Sequence, residues 1–77
     1  MESLQELIQI NPAVMVGKPV IKGTRITVES IIQELASGYS HDQVLTAHPN
    51  LREQHILAAL QYAAAVMQNE KIYAAAS

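Results

Sequence analysis

The chain has 77 residues, no cysteine and a formal net charge of −2. A chain of this length forms one domain with a small core, disulfides and thiolate metal sites are excluded, and the acidic balance argues against strong sequence-independent binding to nucleic acid. No apolar run approaches the roughly 20 residues that a membrane span needs, and the N-terminus is acidic where a signal peptide is basic. We therefore expect a cytoplasmic protein that makes no membrane contact.

The single domain, residues 1–77, divides into an arm at 1–26, three helices at 27–68 and a tail at 69–77. Prolines and glycines interrupt the arm, so any strands in it must be short. The β-branched residues of the arm predict strands near 14–16 and 20–21. The expected fold class is mainly α, a three-helix bundle preceded by short strands or extended chain.

The segment GKPVIKGTRITV, residues 17–28, contains three of the five basic residues of the chain. Gly17 and Gly23 suit backbone positions with positive φ, and Pro19 fixes a bend. A phosphate-binding loop needs the lysine after its second glycine, next to a helix N-terminus, and this segment has the reverse order. Because Pro19 also removes a backbone donor, we do not expect a nucleotide site. The apolar residues of the segment are expected to pack under the helices: Val20, Ile21 and Ile26.

The first helix is predicted in VESIIQELAS, residues 28–37. Its apolar residues recur with the spacing of an amphipathic stripe: Val28, Ile31, Ile32, Leu35 and Ala36. Thr27 is a suitable N-cap, and Gly38 is a suitable left-handed stop. The boundary between arm and helices is therefore expected at Thr27.

The second helix is predicted in HDQVLTAH, residues 41–48. Ser40 and Gln43 have the spacing of a capping box, and Pro49 disfavours helical geometry at the residue before it. We expect a helix of about two turns, with His48 in the turn that follows.

The third helix is predicted from about Asn50 to about Gln68, with Asn50 as N-cap and Glu53 as its N3 residue. One arc of this helix is expected to be core, formed by Ile56, Leu60, Ala63 and Met67, with Leu57, Ala59, Ala64 and Val66 beside them. Three helices joined by short turns, the last one longest, are typical of a helix-turn-helix domain. A generic three-helix bundle has the same outline.

Four motifs carry a resemblance to a known family: GKPVIKGTRITV, ELASGYS, AHPNL and ALQYAA. Over about residues 8–68 the chain resembles the domain-of-unknown-function 433 family. The resemblance implies a homeodomain-like three-helix fold preceded by short strands. It also implies an antitoxin that binds a PIN-like ribonuclease toxin, with DNA binding at its own operon in some members.

One position departs from the family pattern. The family has Thr or Ser after the leucine that follows the proline, where it would cap the third helix, and this chain has Arg52. A guanidinium offers no acceptor to a backbone N–H. Either Asn50 caps an earlier start, or the helix begins with a weaker cap, which leaves Arg52 available for an outward contact such as a phosphate.

The basic residues Lys18, Lys22 and Arg25 form a local positive patch on an acidic domain. Three targets remain open: acidic side chains of a partner protein, DNA phosphates, or the carboxylates of the domain itself. For the last alternative, Arg25 is suited to a bidentate pair with Glu29 or Glu34.

On the third helix, Gln54 and Gln61 are candidates for pairing with adenine edges in a major groove. Ordinary solvated glutamines are the alternative, since only Arg52 supplies positive charge nearby. Ala58 and Ala65, beside Tyr62, form a small flat surface that suits a dimer or toxin interface.

The three histidines are spaced seven residues apart, but Pro49 separates His48 from His55, and no cysteine completes a metal site. The sequence contains no paired nucleophile and base on one face. We expect neither a cofactor nor an enzyme. The leading hypothesis is a homodimeric antitoxin with a PIN-like toxin as partner; the alternatives are a stand-alone helix-turn-helix regulator and a protein-interaction module without DNA binding.

Overall fold

The computed structural model describes residues 4–13 and 15–69. It is mainly helical, with a short two-stranded antiparallel sheet near the N-terminus, which confirms the expected fold class. The elements in chain order are a 3₁₀ turn at Leu4–Leu7, β1 at Ile8–Ile10, a 3₁₀ turn at Met15–Gly17, β2 at Pro19–Ile21, α1 at Val28–Ala36, α2 at His41–Ala47 and α3 at Glu53–Asn69. The predicted tail lies outside the described residues, apart from Asn69 at the end of α3.

The sheet pairs Ile8 with Ile21, Gln9 with Val20 and Ile10 with Pro19. The predicted strand at 20–21 is confirmed, whereas the strand predicted at 14–16 is wrong for its last two residues, which belong to a 3₁₀ turn; residue 14 is outside the described part. Val16 has φ 56 there, a left-handed conformation that a strand excludes. The missed strand is β1, whose Ile-Gln-Ile alternation is a period-two signal.

The boundary predicted at Thr27 is confirmed. Thr27 is extended (φ −78°, ψ 150°), and its hydroxyl accepts the Ser30 N–H at 3.0 Å, as an N-cap does. At the other end Gly38 adopts φ 100°. The Tyr39 N–H donates to the Glu34 carbonyl at 3.1 Å and the Gly38 N–H to the Leu35 carbonyl at 3.0 Å, which is the Schellman pattern.

The capping box predicted for α2 is also confirmed. The Ser40 hydroxyl accepts the Gln43 N–H at 3.1 Å, and the Gln43 side chain accepts the Ser40 N–H at 2.8 Å. His48 is the C-cap, immediately before Pro49, so it is a turn residue as expected.

The third helix begins at Glu53, later than predicted. Asn50 is therefore not its N-cap, and Arg52 occupies the position before the first helical residue. The Leu51 N–H instead donates to the His48 carbonyl at 2.9 Å, which closes the turn after α2. Because this turn is closed on itself, Leu51 points into the core, where it is 5% exposed.

The core lies between β2, α1 and α3, and its central cluster comprises Ile21, Val28, Ile31, Leu51 and Ala59. Val20 and Ile21 are buried and Ile26 packs against the cluster, as expected for the apolar residues of the arm. In α1 the predicted stripe is confirmed except at Ala36, which is exposed.

The predicted core arc of α3 is partly wrong. Ile56 is fully buried, but Leu60 is 39% and Met67 70% exposed, while Ala58, predicted on the outer face, is only 2% exposed. The reason is the N-terminal segment: the 3₁₀ turn Leu4–Leu7 and β1 both pack on α3. They bury a face rotated from the predicted one by roughly 100°, the turn of one helical residue.

Candidate binding surfaces

The loop that follows β2 presents two of the basic residues, and a set of short hydrogen bonds holds it. The Thr24 N–H donates to the Ile21 carbonyl at 2.9 Å, and Gly23 has φ 81°. Together they define a type II turn, which requires positive φ at its third residue. The Thr24 hydroxyl adds a bond to the Ile21 carbonyl at 2.8 Å and accepts the Ile26 N–H at 3.0 Å.

The base of this loop is anchored in the fold. The Ile21 N–H donates to the Ile26 carbonyl at 2.9 Å, and the Lys22 N–H donates to the Leu7 carbonyl at 2.8 Å. Because Ile21 is completely buried, the turn is tied to the core on one side and to the N-terminal segment on the other. We call residues 22–25 the basic loop.

The three cations of GKPVIKGTRITV have different surroundings. Lys18 pairs with Glu29 at 3.4 Å, with both side chains more than half exposed, a contact of small energy. Lys22 and Arg25 are exposed, and within residues 4–13 and 15–69 neither side chain has a hydrogen bond or ion pair. The pairing of Arg25 with Glu29 or Glu34 is therefore wrong, because Glu29 faces Lys18 and Glu34 accepts from His48.

The start of α3 uses a cap that sequence reasoning missed. The Nδ1 atom of His55 accepts the Arg52 N–H at 2.9 Å. His55 is the third residue after Arg52, so it supplies the half of a capping box for which Glu or Gln is usual. The signal that could have revealed this cap is the spacing of three residues between Arg52 and His55. The Arg52 side chain is exposed, and its outward contact stays a prediction.

The two candidate glutamines of α3 are both exposed. Gln54 lies in the first turn of the helix near Arg52, and Gln61 also lines a cleft of about 270 Å³ between β1 and α3. Beyond Glu53, α3 contains no Asp, Glu, Lys or Arg through Asn69. Among the described residues, no hydrogen bond or ion pair connects the basic loop to these glutamines or to Arg52.

The flat surface expected at Ala58 and Ala65 is partly occupied by the chain itself. The cleft between β1 and α3 is lined by Ile8, Ile10, Ala58, Tyr62 and Ala65. Ala58 is buried there and only Ala65 remains exposed. The expectation that both alanines form an open interface is therefore wrong at Ala58.

A second, mostly apolar groove of about 350 Å³ lies between α1 and the last turns of α3. Val28 and Ile32 of α1 line it together with Ala63, Val66 and Met67 of α3. The paired side chains of Lys18 and Glu29 line it too. Tyr62 belongs to both clefts, which places it between the N-terminal segment and α1.

Among the described residues, α3 presents an exposed apolar stripe that was expected to be core. It comprises Leu57, Leu60, Ala64 and Met67, and we call it the α3 stripe. The exposed fractions of its three large side chains are 44% for Leu57, 39% for Leu60 and 70% for Met67. Ala64 is exposed between them.

Two of the three histidines form contacts between helices. The His48 Nε2 donates to Glu34 at 3.0 Å and links α2 to α1, while the His41 Nδ1 donates to Glu53 and links α2 to α3. Over residues 4–13 and 15–69, no three His, Asp or Glu side chains are close enough to hold a metal ion. In the same part of the chain, no helix is both long and apolar enough to cross a membrane.

The chain is similar in sequence to a curated protein and in both sequence and fold to a solved structure. Over 61 residues the chain is 34% identical to a curated protein of Sinorhizobium fredii, "Uncharacterized protein y4eO"; the match covers 79% of this chain and 28% of that protein. A crystal structure of a DUF433 member from Anabaena variabilis superimposes with a TM-score of 0.72 at 34% identity, covering 77% of this chain and 58% of that one. The chain thus spans less than two thirds of each of these relatives.

The family model described as "Protein of unknown function (DUF433)" matches residues 8–63. This range begins at β1, includes the basic loop and ends within α3, so it contains the whole helix-turn-helix arrangement except the end of its last helix. The resemblance seen in the four motifs is therefore confirmed. The chain belongs to the DUF433 family.

Proposed function

We propose that this protein is an antitoxin: a cytoplasmic, non-enzymatic binding protein that neutralises a PIN-like ribonuclease toxin. The toxin class comes from the family resemblance of the four motifs. The observation that carries the binding mode is the basic loop, in which Lys22 and Arg25 are exposed and unpaired within the described residues on a turn held by Thr24.

The chemistry of the loop suits an acidic partner. Arg25 presents five donors in a planar fork, which matches a carboxylate in a bidentate pair. Ribonucleases that use divalent metal ions hold them with carboxylates, so their active sites offer such groups. Because the backbone of the turn is already held by hydrogen bonds, little backbone entropy is lost when the loop binds. Lys22 and Arg25 would then pair with the acidic site of the toxin and block the approach of RNA.

The test is co-expression of the chain with the product of the adjacent gene, with growth rescue and co-purification as readouts. Single variants Lys22→Gln and Arg25→Gln should each weaken binding, by about tenfold or more for Arg25, which loses charge-assisted hydrogen bonds. Lys18→Gln is the matched control, since it removes one charge from the same segment but only an exposed ion pair from the domain. An adjacent product that is harmless alone and does not co-purify would refute the antitoxin function.

A second candidate function is transcriptional regulation by operator binding. It is favoured by the helix-turn-helix arrangement of α2 and α3, with Arg52 exposed at the start of α3 and Gln54 in its first turn. The absence of Lys and Arg from α3, Glu53–Asn69, weighs against it. A gel shift on the promoter of the chain's own gene at low salt would support this candidate, and Arg52→Gln should then reduce the shift. Partner binding without any shift would favour an interaction module without DNA binding.

A further inference from the structure

The α3 stripe has the spacing of a helix-pairing seam. Leu57, Leu60, Ala64 and Met67 follow one another at intervals of three, four and three residues, the a and d positions of a heptad repeat. Such a seam normally faces another helix. In this domain the N-terminal segment and α1 cover other faces of α3, and the seam remains open on the outside.

The residues that flank the stripe are uncharged. Gln54, Gln61 and Gln68 are seven residues apart, which places them at the e positions of the same repeat, where charged side chains usually select the partner. All three are exposed. The glutamine side chain is both a hydrogen-bond donor and an acceptor. A row of glutamines is therefore complementary to an identical row and adds no repulsion between like charges.

We propose that α3 pairs antiparallel with α3 of a second copy of this chain through the α3 stripe. In this register Leu57 lies opposite Met67 of the second copy and Leu60 opposite Ala64, which sets large residues against small or flexible ones. Antiparallel coiled coils bring e positions together, so Gln54 lies opposite Gln68 of the second copy. Gln61 lies beside the twofold axis and faces its own counterpart.

Charge and composition favour a second copy over an unrelated helix. From Gln54 to Asn69 the face lacks the charges that would direct it to a partner of opposite sign, and an isologous interface needs only that one patch be complementary to itself. Its exposed leucines and methionine, with no Asp, Glu, Lys or Arg between Gln54 and Asn69, match the composition of interface cores.

The size of the seam sets its strength. The 17 residues of α3 extend for about 25 Å, so one helix pair buries less than the roughly 1,600 Å² of a standard interface. We therefore expect an equilibrium with a dissociation constant on the order of micromolar. This inference does not rest on the proposed antitoxin function, because it uses none of the basic loop residues and is measured without a toxin.

The test uses Gln61, because a charge introduced at this position beside the axis would face the same charge of the second copy. By sedimentation equilibrium, the mass of the wild-type chain should rise from one copy to two with concentration. Gln61→Glu and Gln61→Lys should each remain monomeric at concentrations where the wild type is dimeric, since each places two like charges opposite one another. An equimolar mixture of the two variants should restore the dimer.

The same substitutions at Gln9, exposed on β1, are the matched controls and should leave the dimer intact. Circular dichroism of each Gln61 variant should match the wild type, since the side chain is on the surface. A wild-type chain that stays monomeric throughout would overturn the proposal. So would a dimer that survives both Gln61 variants, or a mixture that does not recover, because each outcome places any self-association on another surface.

Discussion

The basic loop depends on two small residues with different tasks. Gly23 supplies the positive φ of the type II turn, and Thr24 ties the turn together through its hydroxyl. Lys22 and Arg25 flank this pair, so the backbone of the turn determines where their side chains leave the fold. The loop is hydrogen-bonded at its base, and its two cations have no hydrogen bond or ion pair within the described part of the chain.

At the residue scale we predict that Gly23→Val destabilises the domain by roughly 1 kcal/mol or more, because valine is strained at positive φ. A Cβ at this position would meet no atom within 4 Å, so the cost is conformational and not steric. Gly23→Asn is the matched control, since asparagine tolerates the left-handed region better. Urea denaturation measures both, and equal stability of the valine variant and the wild type would contradict the assigned turn.

At the scale of the element, each helix has its own start signal. Thr27 caps α1, the reciprocal Ser40 and Gln43 pair caps α2, and α3 is preceded by Arg52, which has no side-chain acceptor. His55 compensates by accepting the Arg52 N–H. This bond requires an unprotonated Nδ1, so it fixes the tautomer of the neutral ring, leaving Nε2 as the donor. The departure from the family pattern at Arg52 is thereby accommodated within one turn of helix.

We therefore predict that His55→Ala lowers the free energy of unfolding by about 0.5–2 kcal/mol, the usual cost of losing a cap. His55→Gln should lose less, because the glutamine oxygen is able to accept the same N–H, as Gln43 does in α2. Thermal melts followed by circular dichroism measure the difference. Equal losses in the two variants would show that the ring contributes by packing alone.

At the scale of the whole molecule, the N-terminal segment decides which faces of α3 are buried and which are exposed. Leu4–Leu7 and β1 cover the side of Ala58, α1 covers the side of Ala59, and the α3 stripe remains exposed. The division has a functional consequence: if the stripe pairs with a second copy, Gln54 and Gln61 are withdrawn from any DNA groove. Base reading by α3 and dimerisation through α3 are therefore competing uses of one helix.

From the packing of this segment we predict that the same substitution has different effects on stability at two alanines of α3. Ala58→Leu should destabilise the domain by roughly 1–3 kcal/mol, because added methylenes overfill the contact between α3 and the N-terminal segment. Ala65→Leu, two turns along the same face but exposed, should change stability by less than about 0.5 kcal/mol. Denaturant unfolding of the two variants measures this contrast. Equal effects would mean that the segment does not close over Ala58.

Local features could be predicted from the sequence because they depend on neighbours along the chain. Thr27, the Ser40 and Gln43 box and Gly38 are signals of this kind, and so are the positive φ angles of Gly17 and Gly23. The family could be recognised for a related reason, since its motifs are the same turns and caps in a set order. The basic loop was located in this way, but the partner of each charge was not.

Only the tertiary structure decided which distant segments are in contact. The pairing of Lys18 with Glu29, which leaves Arg25 without a carboxylate among the described residues, depends on how β2 lies against α1. The orientation of α3 was undetermined for a physical reason: alanine is small and apolar enough for either side of a helix, so an alanine-rich sequence has no strong preferred face. The sequence by itself determined where α1 begins and ends and where α2 begins, and the packing of the N-terminal segment decided which face of α3 is buried and which is left exposed.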